Sequence, residues 1–199
     1  MAGITADTVK QLREKTGAGM MDCKRALEES KGNFEQAIEY LRKKGAATAA
    51  KRADKETNQG VIEAYIHAGG RIGSMVELNC ETDFVAKTPE FKQLAHDVAM
   101  QIAAMSPHYI SRDQVKKEVV EKELEIYKSQ AANEGKPAAI AEKIAQGRLE
   151  KFYQEVVLME QSFIKDSGKT IRDLIDEQTA KVGEKISIRR FLRYHLGEN

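Results

Sequence analysis

Tryptophan is missing from this 199-residue chain, and aromatic residues of every kind make up only 6% of it. Proteins that hold single-stranded nucleic acid stack bases on aromatic rings, so that platform is largely absent. Cysteine is scarce too. Cys23 and Cys80 are the whole complement, too few for a disulfide framework and compatible with a reducing compartment. Neither sign of charge dominates: 32 Lys and Arg face 31 Asp and Glu, for a formal net charge of +1. A protein built to grip phosphate backbones carries a clear basic surplus. No apolar run approaches the roughly 18 residues of a membrane-spanning helix. The opening Met1-Ala2-Gly3-Ile4-Thr5 carries neither a basic-then-apolar signal segment nor an Arg-rich transit segment. A cytoplasmic protein without membrane contact is the expectation.

What is present is enough to fold. Hydrophobic residues reach 41% and charged residues 32%, which allows a real core in one domain, or in a small domain plus a larger one. Thr5 is placed to cap a first helix through Val9 and Leu12, with Ile4 stapled on Val9. Thr16-Gly17-Ala18-Gly19 ends it, and a second helix carries Cys23, Ala26 and Leu27 to Lys31-Gly32. Asn33 caps a third helix, with Gln36 in the capping-box position. Phe34, Ala37, Ile38 and Leu41 recur at i, i+3, i+4, i+7, and Lys43, Lys44 and Gly45 close the helix. These elements predict a three-helix domain over 1–45, followed by a helical linker over 46–59.

Residues 60–199 read as an α+β core. Ile62, Ala64 and Ile66 alternate with Glu63, Tyr65 and His67; after Gly69-Gly70, Ile72, Val76 and Leu78 alternate again, the pattern of a β-hairpin. Pro89 opens a helix through Phe91, Leu94, Val98 and Ile102. Ser111 and Gln114 fit a capping box for a long helix bearing Val115, Val119, Leu124, Tyr127 and Ala131, broken at Gly135-Lys136-Pro137. In the next helix Leu149, Phe152, Val156, Met159 and Phe163 step by 3, 4, 3, 4, a coiled-coil-like seam. A helical hairpin over about 112–167 follows from these runs. Thr170 caps a last helix through Leu174 and Ile175, and Ile186, Ile188, Leu192 and Tyr194 form a terminal strand able to join the hairpin's sheet.

Catalytic chemistry is not advertised. His67, His96, His108 and His195 show no helical i, i+4 pairing and no neighbouring Cys-x-x-Cys, so no metal site is expected. Gly17-Ala18-Gly19 lacks a preceding strand and a Gly-Lys-Ser/Thr, so no nucleotide cradle and no cofactor are expected. Cys80 reads either as a nucleophile or as a half-buried strand thiol without a placed base. Carboxylates lie among lysines on helix faces, the pattern of a solvated surface.

Two connectors carry apolar residues. Thr16-Gly17-Ala18-Gly19-Met20-Met21 places consecutive methionines, suited to adaptable binding surfaces, beside a Gly-rich turn; the other reading has them begin the second helix's buried face. Glu81-Thr82-Asp83-Phe84-Val85-Ala86-Lys87 sets a charge beside two large apolar groups. The other reading there has Thr82 or Asp83 capping a helical turn while Phe84 fills the core.

Both connectors carry a resemblance to a known family. Thr16 to Leu27 (TGAGMMDCKRAL) resembles the N-terminal signature of elongation factor Ts, and Glu77 to Ala86 (ELNCETDFVA) resembles its second signature. The resemblance is strong to about residue 105, diffuse over 111–168, and recovers in the last strand. It implies a ubiquitin-associated-like N-terminal domain, then a core with a small antiparallel sheet flanked by helices and a helical hairpin. It implies a non-enzymatic guanine-nucleotide exchange factor whose partner is the GTPase elongation factor Tu. Val9, Leu12, Met20 and Met21 would contact that partner through the N-terminal domain. Thr82, Asp83, Phe84 and Val85 would form the loop that dislodges Mg²⁺ near the nucleotide phosphates. The chain is similar to short members of the family, implying a homodimer and a two-plus-two complex. Ile186, Ile188, Phe191, Leu192 and Tyr194 are the candidate dimer edge, or else they close an intramolecular sheet. The alternatives are an RNA- or ribosome-binding module using Arg42, Lys43, Lys44, Lys51 and Arg52, and a thiol enzyme built on Cys80.

Overall fold

In the computed structural model, residues 4–198 are described; Met1, Ala2 and Gly3, part of the stretch read for a signal segment, lie outside them, as does Asn199. The described chain is α+β. It divides into two compact units: one takes the chain up to Ala64 with Met75–Asp97 and Arg172–Phe191, and the other takes Tyr65–Ser74, Val98–Ile171 and the chain from Leu192 on.

The first unit begins with three helices, α1 (Ala6–Thr16), α2 (Met20–Glu29) and α3 (Phe34–Lys51). Thr5 caps α1 in a reciprocal box: its hydroxyl accepts from the Thr8 amide at 3.2 Å, and the Thr8 hydroxyl accepts from the Thr5 amide at 3.0 Å. Gly17 ends the helix at φ 68°, a left-handed conformation that glycine adopts without a Cβ penalty. Asn33 caps α3 by accepting from the Gln36 amide at 3.0 Å. Val9, Leu12, Cys23, Ala26, Leu27 and Ala37 form the shared core.

Helix α3 does not close at Gly45, as the Lys-Lys-Gly run suggests, but continues to Lys51. Gly45 packs against a neighbouring helix there. A Cβ on it would sit 3.6 Å from the backbone oxygen of Asp176, on helix α8 (Ile171–Val182). Arg42, one turn earlier, makes a two-pronged ion pair with Asp173 of that helix at 2.7 and 2.5 Å. Tertiary packing outweighs the local stop signal.

Strands β1 (Gln59–Ile66), β2 (Ile72–Cys80) and β5 (Ile186–His195) form one sheet in the order β1-β2-β5. The expected period of two is there, and on β1 it is the isoleucines that face outward. Ile62 and Ile66 are 63% and 67% exposed, whereas Val61, Glu63 and Tyr65 are half-buried. Glu63 accounts for part of this, since its carboxylate meets His96 at 3.0 Å; His96 lies on α5 (Pro89–Met105). On β2, Val76, Leu78 and Cys80 are buried as the pattern requires. Ile186 and Ile188 on β5 are buried too, so their side chains face the interior, while β5 itself stands at one edge of the sheet beside β2.

The second unit holds the helical hairpin, α6 (Lys117–Asn133) and α7 (Ala138–Val156). Ser111 to Gln114 is not the cap of α6. A 3-10 turn (Arg112–Gln114) comes first, Ser111 makes no side-chain cap bond, and extended Val115 separates turn from helix. Gln114 instead accepts from the Ile110 amide at 2.8 Å. Likewise α7 stops at Val156, so Met159 and Phe163 lie beyond it, in a 3-10 turn (Leu158–Glu160) and in strand β3 (Ser162–Phe163). The buried residues of α7 are Ala141, Ala145 and Leu149; the two alanines are small groups that let α6, with its buried Ala131, approach closely. β3 pairs antiparallel with β4 (Asp166–Thr170), a hairpin with no signal in the apolar pattern. Beneath it, buried Gln101 donates to the Gln161 side chain and the Ser162 carbonyl, both at 3.1 Å.

Candidate functional site

The segment after β2 is a single turn held at both ends. Thr82 sits in extended backbone and caps α4 (Asp83–Ala86), its hydroxyl accepting from the Val85 amide at 3.5 Å. Thr88 closes the far side, donating to the Val85 carbonyl at 2.8 Å and accepting from the Phe91 amide at 3.3 Å at the start of α5. Cys80 below the turn is fully buried, as are Phe91 and nearly all of Ala86. Residues on a helix advance about 100° per step, so Phe84, two before the inward-facing Ala86, lies on the far side of the turn. It is 80% exposed. The sequence allowed a capped helical turn with Phe84 in the core; the cap and the turn are present, and the ring is outside.

Asp83 stands beside that ring. Lys87 donates to its carboxylate at 2.5 Å, an i, i+4 pair with both side chains well exposed. That hydrogen bond holds the Asp83 carboxyl below its usual range, so the group is anionic at neutral pH. Val85 is half-buried and spans the base and the exposed face.

A group the sequence reading missed anchors the turn. The Glu184 carboxylate accepts from the Thr82 amide at 3.0 Å and from the Thr82 hydroxyl at 2.7 Å. Glu81 accepts from the Lys185 amide at 2.6 Å and from Arg52 at 2.7 and 3.0 Å. The Lys185 amide bond is the largest of the effects that hold the Glu81 carboxyl below its usual range. Glu184 lies 102 residues from Thr82, in a charged stretch whose one mark is Gly183, at φ 73° after α8.

Cys80 is no nucleophile. Burial and the nearby Glu184 carboxylate push its thiol up to about 11, and the thiol donates to the Thr82 carbonyl at 3.1 Å. Reactive cysteines sit in electropositive, accessible surroundings. Among the described residues, no group of three or more His, Cys, Asp or Glu is arranged to hold a metal ion.

The N-terminal candidates separate into two sets. Met20 and Met21, at the first turn of α2, are 45% and 67% exposed, which removes the reading that they begin its buried face. Val9 and Leu12 are in the interior, at 6% and 0% exposure. Their apolar spacing serves the three-helix core, so they support the methionine surface without forming part of it. Gly19, the residue before Met20, caps α2 with no side chain, leaving the methionines uncrowded.

The basic run 42–52 is largely neutralised. Arg42 pairs with Asp173, Lys43 with Glu39, Lys44 with Asp22 and Arg52 with Glu81. No helix of the described residues is long and apolar enough to cross a membrane.

The model of one protein family, described as elongation factor TS, matches residues 4–198. Elongation factor Ts of Carboxydothermus hydrogenoformans is 63% identical over 195 residues, covering 98% of this chain and 90% of the relative. Elongation factor Ts of Moorella thermoacetica is 62% identical, covering 98% of this chain and 96% of the relative. Elongation factor Ts of Desulforamulus reducens is 59% identical over 198 residues, covering 91% of the relative.

Proposed function

The chain belongs to the elongation factor Ts family of translation elongation factors, and from that premise we propose that it binds elongation factor Tu carrying GDP, displaces Mg²⁺ and promotes GDP release so that GTP can bind. The observation that carries this reading is Phe84, a large ring left 80% exposed on a short turn whose base is buried and clamped. Leaving such a ring in water forgoes on the order of 1.5–3 kcal/mol of burial, which a partner's pocket recovers.

The physics is that of a wedge at a metal site. Mg²⁺ bridges nucleotide phosphates and protein oxygens, so losing it leaves concentrated negative charge poorly compensated. Phe84 enters the pocket, and Asp83 adds an anionic group close to where the metal is held. A thousandfold faster release requires about 4 kcal/mol off the barrier. One ring supplies a large part of that, and the remainder comes from contacts elsewhere, with Met20 and Met21 as the N-terminal contribution. By linkage, a factor that weakens nucleotide binding is itself displaced by nucleotide to the same degree. No bond is made or broken by the chain in this cycle, so it acts as an exchange factor and not as an enzyme.

A second copy of the chain completes the assembly in this reading. Leu192, Tyr194 and Leu196 are 58%, 71% and 66% exposed on and just after β5. In the same unit, Ile66 lies over Gly73, where an added Cβ would come within 2.7 Å of its Cδ1. The reading does not call on nucleic acid. The cations that would serve an RNA-binding module are mostly engaged with carboxylates.

The test is stopped-flow release of a fluorescent GDP from purified elongation factor Tu. The intact chain accelerates release by orders of magnitude, and a chain lacking residues 1–54, which include the proposed 1–45 domain, binds more weakly. No acceleration by the intact chain overturns the reading.

A further inference from the structure

Resting on the exchange reading above, we infer that Glu184 is a positioning residue for the Phe84 turn: its carboxylate, through Thr82, fixes the angle at which the ring is presented.

The geometry is reciprocal. Two consecutive residues after β2, Glu81 and Thr82, face two consecutive residues before β5, Glu184 and Lys185. Glu184 accepts from the Thr82 amide at 3.0 Å, and Glu81 accepts from the Lys185 amide at 2.6 Å. Each pair therefore supplies one carboxylate and one backbone N–H, and each carboxylate takes a second donor: the Thr82 hydroxyl for Glu184, the Arg52 guanidinium for Glu81. Lys185 extends the staple, donating to the Lys55 carbonyl at 2.9 Å.

A single helical turn does not hold itself. Four residues fix too few internal hydrogen bonds to offset the ordering of the backbone, so its shape must be imposed from outside. Thr82 is the hinge point, being the last extended residue before the turn and also its cap. Its hydroxyl has two roles at once, donating to Glu184 and accepting from the Val85 amide. Donation to a carboxylate polarises the hydroxyl and strengthens it as an acceptor. The Glu184 carboxylate thus holds the capping residue of the turn, two residues before Phe84. Without it the ring stays attached and exposed, but samples many directions, and the partner must then order it on binding.

The experiment measures the saturating rate of GDP release, the concentration giving half that rate, and amide exchange at Asp83–Val85, for the parent, Glu184→Ala, Glu184→Gln and Phe84→Ala. Thermal melting of each variant sets the assay well below unfolding; should Glu184→Ala not fold, Thr82→Val against Thr82→Ser takes its place. Glu184→Ala is expected to lower the saturating rate about tenfold, the loss of hydrogen bonds to a charged acceptor, and to speed amide exchange in the turn. Its half-saturating concentration is expected to move much less. Glu184→Gln, which keeps one acceptor oxygen and gains a donor the hydroxyl can accept, recovers most of the rate. A purely structural role predicts a lower melting temperature with the rate and the local exchange unchanged, and that result overturns the inference. Equal losses in Glu184→Ala and Glu184→Gln overturn it too. If Phe84→Ala loses rate while Glu184→Ala does not, the positioning role alone fails; if the parent does not accelerate release, the exchange reading falls and the inference with it.

Discussion

Gly60 and Cys80 illustrate how closely the strands behind the site are packed. A Cβ on Gly60 would run into the Leu78 carbonyl oxygen and lie 2.8 Å from the Asn79 Cα, both backbone in the central strand. Neither can move aside cheaply, so Gly60→Ala is expected to cost about 1–3 kcal/mol in urea unfolding. Cys80 gives a pH signature. Its folded value of about 11 lies above the 9.0 of an ordinary thiol, so folding favours the neutral form. That contribution is complete below pH 9 and is lost as pH rises through 11. The stability of the parent is therefore expected to fall more steeply over that window than that of Cys80→Ala, as followed by denaturant titration at several pH values. A parallel pair of curves would contradict the assignment.

At the scale of elements, the connectors were more legible than their orientation. Thr82 as a cap, the turn after it and Pro89 opening a helix follow from local chemistry alone. Which side of the turn faces the interior depends on where β2 and α5 place Ala86 and Phe91, and one turn is too short for an apolar stripe to reveal it. The same limit applies to β1: alternation fixes a period of two, and contacts such as Glu63 with His96 choose the face. The stop at Gly45 failed because α3 packs on a helix far away in sequence, held by Arg42 and Asp173, whereas at Ser111 the competing bond is local, Gln114 accepting from the Ile110 amide. Spacing allows two readings of Met20 and Met21, and their exposure decides between them. Replacing both with Ser should leave stability within about 0.5 kcal/mol while weakening the complex with elongation factor Tu roughly tenfold. Leu12→Ala, by contrast, should cost about 2–5 kcal/mol of stability. Calorimetric melting alongside titration of the partner separates the two outcomes.

For the whole molecule, the fold class and the family were readable from two short signatures and the order of elements, because those residues carry the capped turns that define the site. Glu184 was not, since a charged residue in a charged stretch gives no sign of a partner 102 positions away. Assembly belongs to this scale as well. If a second copy covers Leu192 and Tyr194, the double replacement Leu192→Glu and Tyr194→Glu should yield a folded monomer in sedimentation equilibrium, where the parent sediments as a dimer; a parent that sediments as a monomer at all concentrations would contradict that assembly.

In the proposed cycle an exposed ring on a clamped turn prises the metal-held nucleotide loose. The most direct test of that step is the maximal rate of GDP release from elongation factor Tu at saturating Phe84→Ala. The expected result is a fall of roughly 10- to 100-fold relative to the parent, the rate equivalent of one buried ring. A maximal rate within about twofold of the parent would contradict this role of Phe84.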